Sequence, residues 1–254
     1  MNWSRTENFK VRGYEVGPDQ RVPLQNLCGY MEEAAALHAA ELGLAVEELA
    51  RQGLAWVLAR TQMLFEELPY LGDCDLADEA LSQVQVKTWP VAVDKLQFRR
   101  DFLMSWRGRV FARAVTDWVI INLGSRRVER VPEFIRKMQP ENPELVMPAE
   151  KLKLTGQDGA PTLASFTVRR ADIDRNNHVN NARFTEWLIE SVPEGFVESG
   201  RLKGIQILYR AEGLFGDTVL ARGAEDPEEP RAFLHGLFRA SDNQELVRAR
   251  TFWK

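Results

Sequence analysis

The chain has 254 residues, 44% hydrophobic and 28% charged, the balance of an ordinary globular protein able to bury a core without covalent staples. Its formal net charge of −4 argues against broad electrostatic binding to nucleic acid or an anionic membrane. No apolar run reaches the length of a membrane span, and Cys28 and Cys74 form no CxxC pair, so neither a disulfide framework nor a zinc site is indicated.

Residues 1–10 hold no apolar core and no cleavage-site pattern, so they do not read as a signal peptide, and the expected setting is the cytoplasm. Leu24, Leu27, Met31, Ala35, His38 and Leu42 recur at helical spacing and predict an amphipathic helix over 24–43. A short helical turn over 47–52 precedes Gly53. Extended segments follow at 55–65, 81–89, 96–105 and 110–123, rich in Val, Ile, Phe and Trp and broken by Gly, Pro and Asp. Residues 138–160 carry Pro140, Pro143, Pro148, Gly156 and Gly159 and read as a linker between domains at 1–137 and 161–254. A second helix is predicted over 180–192, with Phe184, Trp187, Leu188 and Val192 on one face. Strands follow at 202–209, 218–223, 232–240 and 246–253.

The two halves resemble each other. Val11-Arg12 aligns with Val168-Arg169, and on that offset Val22 falls on Val179, Tyr30 on Trp187 and Glu33 on Glu190. Leu71-Gly72-Asp73 matches Phe215-Gly216-Asp217, and residues 112–118 resemble 247–253. Each half therefore reads as one α+β unit, a helix covering an antiparallel sheet.

The densest polar cluster runs from Asp172 to Asn181, just before the second helix. Turn formation and helix capping account for part of it. In the first half, however, the aligned stretch reads Gly17-Pro18-Asp19-Gln20-Arg21-Val22-Pro23-Leu24, with Arg21, Pro23 and Leu24 facing His178, Asn180 and Asn181. A turn alone would need the same residues twice, so one copy reads as chemical and the other as structural. His178 is suited to moving a proton near neutral pH. Asn176 can hold a water or a carbonyl, Asp174 can orient the imidazole or the amide, and the amides opening the second helix can cradle a developing oxyanion. His38 reads as a core or pocket-lining residue and His235 as a partly exposed strand residue. Three dispersed histidines make no metal site, and no cofactor is expected. No GxSxG elbow is present, which excludes the usual serine esterase arrangement.

Asp174-Arg175-Asn176-Asn177-His178-Val179-Asn180-Asn181, followed by Phe184, Trp187 and Glu190, resembles the acyl-acyl carrier protein (ACP) thioesterases. Residues 11–17 resemble that family's opening strand, and residues 56–60, Gly72-Asp73, Thr88-Trp89 and 98–101 also fit. The resemblance implies a tandem hot-dog fold and hydrolysis of acyl-ACP thioesters in fatty acid synthesis, without cofactor. It carries catalytic roles to Asp174, Asn176 and His178, and, through Tyr209-Arg210-Ala211-Glu212, to Glu212. Many members carry Cys after this Glu; here the residue is Gly213, so a Cys–His covalent route is not expected and water attacks directly. The acyl chain is expected in the first half, with Met31, Ala34, Ala35, His38, Trp56 and Leu58 as lining candidates. The partner implied is acyl carrier protein bearing an acyl-phosphopantetheine. An acidic carrier calls for a basic dock, for which Arg99-Arg100, Arg107 with Arg109, and Arg126-Arg127 with Arg130 are candidates. Monomer and homodimer both remain open, since a tandem chain contains its own pseudo-dimer. The short N-terminus, without a plastid-type extension, points to a bacterial cytoplasmic enzyme. Rival readings are an acyl-CoA thioesterase, a hot-dog acyl hydratase and a silent acyl-binding protein.

Overall fold

A computed structural model describes residues 3–72, 78, 82–148, 152–198 and 201–254. Asp73, Cys74 and Leu81 lie outside these described residues. The chain divides into two units, Met1–Ala149 and Glu150–Lys254.

The first unit opens with strand β1 (Arg5–Lys10), a 3₁₀ turn over Gly13–Glu15 and helices α1 (Leu24–Glu41) and α2 (Val46–Arg51). Strands β2 (Leu54–Phe65), β3 (Gln83–Val93), β4 (Gln97–Trp106), β5 (Arg109–Asn122) and β6 (Val128–Glu129) follow, then the short helix α3 (Glu133–Arg136). The sheet runs β1-β3-β4-β5-β2, with β6 added alongside β5, and its pairings are antiparallel. Helix α1 packs on β3 and β1. It buries Leu24, Leu27, Met31, Ala35 and His38, the face read from helical spacing. Beyond its last turn, Leu42, Leu44, Leu49, Leu54, Phe98 and Ile120 form a contiguous core, with Trp56 and Trp118 packed at its edge.

The second unit comprises β7 (Thr162–Thr167), a 3₁₀ turn over Arg170–Asp172, α4 (Asn181–Glu190), α5 (Glu194–Glu198), β8 (Leu202–Tyr209), β9 (Thr218–Glu225), β10 (Ala232–Arg239) and β11 (Glu245–Trp253). Its antiparallel sheet runs β7-β9-β10-β11-β8 and α4 packs on β10. The order repeats that of the first unit strand for strand, and details repeat with it. Phe9 stacks on Tyr30 at 4.8 Å as Phe166 stacks on Trp187 at 5.5 Å. Trp118 Nε1 donates to Thr116 Oγ1, and Trp253 Nε1 to Thr251 Oγ1, each at 2.9 Å. This is the tandem α+β hot-dog fold, a helix on an antiparallel sheet given twice.

Two strands depart from expectation. The opening strand lies at Arg5–Lys10 rather than 11–17, where the chain makes the 3₁₀ turn, and β7 begins the second unit where no strand was read. Both are edge strands with no fully buried residue, so neither shows the apolar alternation that marks a half-buried strand.

Within 138–160, the first part lies along the first unit. Trp89 Nε1 donates to Glu144 O at 2.8 Å, Val146 N to the Asp101 carboxylate at 2.9 Å, and Arg99 Nη2 to Met147 O at 2.7 Å. In the second unit, Arg248 Nη1 donates to Leu154 O at 2.9 Å. Among the described residues, no helix is long and apolar enough to cross a membrane.

Candidate active site

The polar cluster folds as a tight loop joining the 3₁₀ turn to α4. Asp172 anchors its start. Its buried carboxylate accepts from Arg169 N, Nε and Nη2 at 2.8–3.0 Å, and these Arg169 hydrogen bonds hold its carboxyl below the usual range. Asp174 N donates to His178 O at 2.8 Å and Asn177 N to Asp174 O at 3.1 Å, closing the loop. Asn177 sits at φ 63°, a left-handed position that Asn tolerates. Asn180 caps α4, its side chain accepting from Ala182 N at 2.8 Å.

Inside this loop the Asp174 carboxylate accepts from Asn176 N at 2.7 Å and from Asn176 Nδ2 at 3.3 Å. The bond spends one amide proton, so Asn176 keeps a second proton and its carbonyl for a ligand. His178 Nε2 lies 3.1 Å from Glu212 Oε2, the two side chains 26% and 40% exposed. Facing a carboxylate, which only accepts, Nε2 is the donor.

Glu212 follows β8 and is held at its main chain. Arg239 Nη2 donates to Glu212 O at 3.1 Å, and Val179 N donates to Gly213 O at 2.9 Å. Local sequence offered no sign of the Arg239 contact, because it joins residues on separate segments. The structure thus brings Asp174, Asn176, His178 and Glu212 together within the second unit. The expected amide cradle at the helix start is partly occupied: Ala182 N is bonded to the Asn180 side chain and Arg183 N to Asn180 O.

The first unit makes the same loop with different side chains. Gly17 N donates to Arg21 O at 2.8 Å, Gln20 N to Gly17 O at 2.9 Å, and Gln20 stands at φ 59°. Arg12 N bonds Glu15 Oε2 as Arg169 N bonds Asp172. The backbone turn therefore requires neither the acid, nor the amide, nor the imidazole. Where His178 stands in the second unit, Arg21 donates to Leu68 O and lies over the Tyr70 ring.

Met31, Ala35 and His38 lie buried on α1, with Ala34 beside them; Leu58 is buried on β2 and Trp56 partly so. Trp56 Nε1 donates to Leu44 O at 3.1 Å, and its ring packs on Phe98. His38 Nδ1 lies 2.9 Å from Arg100 Nη1. A guanidinium cannot accept, so Nδ1 is the acceptor and the ring proton sits on Nε2. Burial lowers the Arg100 pKa to about 10.

Two expectations are corrected. Arg99 and Arg100 are not a docking surface: adjacent on β4 they face opposite sides of the sheet, yet are only 6% and 3% exposed, Arg99 against Asp101 and Met147 O and Arg100 against His38. His235 is not partly exposed. It is 1% exposed, because β10 lies between β9 and β11 and every residue from Ala232 to Phe238 is buried. Arg107, Arg109, Arg126, Arg127 and Arg130 are exposed. Among the described residues, no group of three or more His, Cys, Asp or Glu is placed to hold a metal ion.

Fold and loop together define a double hot-dog protein with a polar constellation in its second unit. Family models described as the acyl-ACP thioesterase N-terminal and C-terminal domains match residues 3–138 and 156–254. The chain belongs to the acyl-ACP thioesterase family. It is 32% identical to the chloroplastic palmitoyl-acyl carrier protein thioesterase of Gossypium hirsutum, covering 98% of this chain and 63% of that protein. With the chloroplastic oleoyl-acyl carrier protein thioesterase 1 of Arabidopsis thaliana it shares 28% identity over 99% of this chain and 76% of that protein. Thus it spans just under two thirds of the length of the first of these relatives. Among solved structures, the 12:0-ACP thioesterase of Umbellularia californica matches with a TM-score of 0.83 at 26% identity, covering 100% of this chain and 98% of that one. An acyl-ACP thioesterase of Bacteroides thetaiotaomicron has the same fold, with a TM-score of 0.83 at 23% identity over 99% of this chain and 98% of that one.

Proposed function

We propose that the chain hydrolyses fatty acyl-ACP thioesters to free fatty acid and holo-ACP by direct attack of water. The observation that carries this reading is the 3.1 Å pairing of His178 with Glu212, with the Asn176 amide bonded to Asp174 in the same loop. Family membership supports the substrate class, and Gly213 supplies no thiol next to Glu212.

Glu212 takes a proton from water as the oxygen attacks the thioester carbonyl carbon, and His178 Nε2–H orients the carboxylate that does so. Asn176 donates its second amide proton to the carbonyl oxygen as negative charge grows there. The carbon–sulfur bond then breaks, and the phosphopantetheine sulfur receives the proton from Glu212. No cofactor enters.

The acyl chain is assigned to Met31, Ala35, His38, Trp56 and Leu58, a largely buried set in which His38 is held by Arg100. The acidic carrier is assigned to the exposed arginines Arg107 and Arg109, or Arg126, Arg127 and Arg130. The cytoplasm is the proposed setting.

The test is release of free fatty acid from matched ACP and CoA thioesters across chain lengths. Higher kcat/KM on the ACP thioester is expected. Equal or higher kcat/KM on CoA would reassign the carrier, and no release from any thioester would overturn the hydrolase reading.

A further inference from the structure

Arg170 and Phe215 make an exposed pair close to Glu212 in the chain. The Arg170 guanidinium carbon lies 4.5 Å from the centroid of the Phe215 ring. Phe215 is 55% exposed and the neighbouring Leu214 46%. Phe215 is the third residue after Glu212, so their α-carbons stand at most about 11 Å apart. The duplicated unit provides a control. On the offset that pairs Val11 with Val168, Gly13 takes the place of Arg170, and each of the two opens a 3₁₀ turn. Leu71, aligned with Phe215, is only 3% exposed. The fold therefore demands neither an exposed ring nor a cation at these positions, and the unit carrying the His178–Glu212 pair has both.

Arg169 is committed to the Asp172 carboxylate, through Nε at 3.0 Å and Nη2 at 2.9 Å. Arg170, among the described residues, has no carboxylate partner. A guanidinium lying over a ring spends its face on the π-system and keeps its N–H edge for phosphate oxygens. A thioester delivered by acyl carrier protein hangs on a phosphopantetheine arm, which spans on the order of 15–20 Å when extended and ends in one negatively charged phosphodiester. With the thioester carbonyl at Glu212, that phosphate comes within reach of Arg170, and Leu214 and Phe215 offer apolar surface to the arm between. We infer that Arg170, held over Phe215, is the subsite for this phosphodiester. The inference rests on the hydrolase reading above and concerns the arm, not the folded body of the carrier.

The experiment measures kcat and KM of wild type and Arg170→Ala on one acyl chain carried by four thioesters: acyl-ACP, acyl-phosphopantetheine, acyl-pantetheine and acyl-CoA. In the variant, KM on acyl-ACP and on acyl-phosphopantetheine is expected to rise about tenfold, the size of one lost charge-assisted hydrogen bond, with kcat unchanged. On acyl-pantetheine, which has no phosphate, variant and wild type should match. An unchanged KM on acyl-ACP would overturn the inference. So would an equal loss on acyl-pantetheine, the mark of a merely structural role. A rise on acyl-ACP without one on acyl-phosphopantetheine would set Arg170 against the carrier body, and a rise confined to acyl-CoA would assign it to nucleotide phosphates; either overturns the subsite. A wild-type chain inactive on every thioester would fault the hydrolase reading instead.

Discussion

His178 and His235 show how one residue type takes opposite roles by environment. His178 lies at a loop, partly exposed, against a carboxylate. His235 lies on the central strand β10 with Nε2 on Thr251 Oγ1 at 2.8 Å and Nδ1 without a hydrogen bond. Burial pushes its pKa from the ordinary 6.5 down to about 3, so it is neutral in the folded chain. The sign follows from linkage. Protons bind the unfolded imidazole first, so the stability contributed by neutral His235 is present above pH 6.5 and is lost as pH falls from there towards 3. The slope approaches about 1.4 kcal/mol per pH unit. Denaturant melts at pH 7 and pH 5 should show His235→Leu losing less stability on acidification than wild type; an identical loss would contradict the assignment. The sequence marked this residue as a strand histidine but could not say that β10 is covered on both faces, because burial depends on partners far along the chain. For the same reason Glu212 became visible only through the family resemblance, and its Arg239 contact not at all.

At the scale of elements, the two loops before α1 and α4 separate turn from chemistry. Both close with the same hydrogen bonds and both place a non-glycine residue at positive φ, Gln20 and Asn177. Asn177 therefore belongs to the turn, and Asn176 is the residue proposed for the site. Asn177→Gly should leave kcat unchanged and be neutral or slightly stabilising, since glycine adopts that conformation without strain. Asn176→Ala should lose kcat by about 10²-fold or more, as removal of an oxyanion donor does. Steady-state kinetics on acyl-ACP distinguishes the two; a silent Asn176→Ala would remove the amide from the mechanism. Part of this was legible beforehand, because the aligned first-half loop has Arg21 where His178 stands. The helices were legible too, since α1 and α4 each bury one periodic face. Strands β1 and β7 were not, because an edge strand with no buried side chain leaves no pattern to read.

On the scale of the whole molecule, duplication has been followed by division of labour. Both units keep the strand order, the Trp–Thr hydrogen bond within β5 and β11, and the aromatic stack on the helix. At the aligned loop position the second unit carries His178 and the first Arg21. One active site per chain, in the second unit, is the proposed reading. The most direct test is single-turnover hydrolysis of acyl-ACP by His178→Ala, with its fold verified against wild type. A fall in rate of about 10²-fold is expected for loss of the group that orients the Glu212 carboxylate, whereas hydrolysis by the folded variant at the wild-type rate would contradict a single site built on His178 and Glu212.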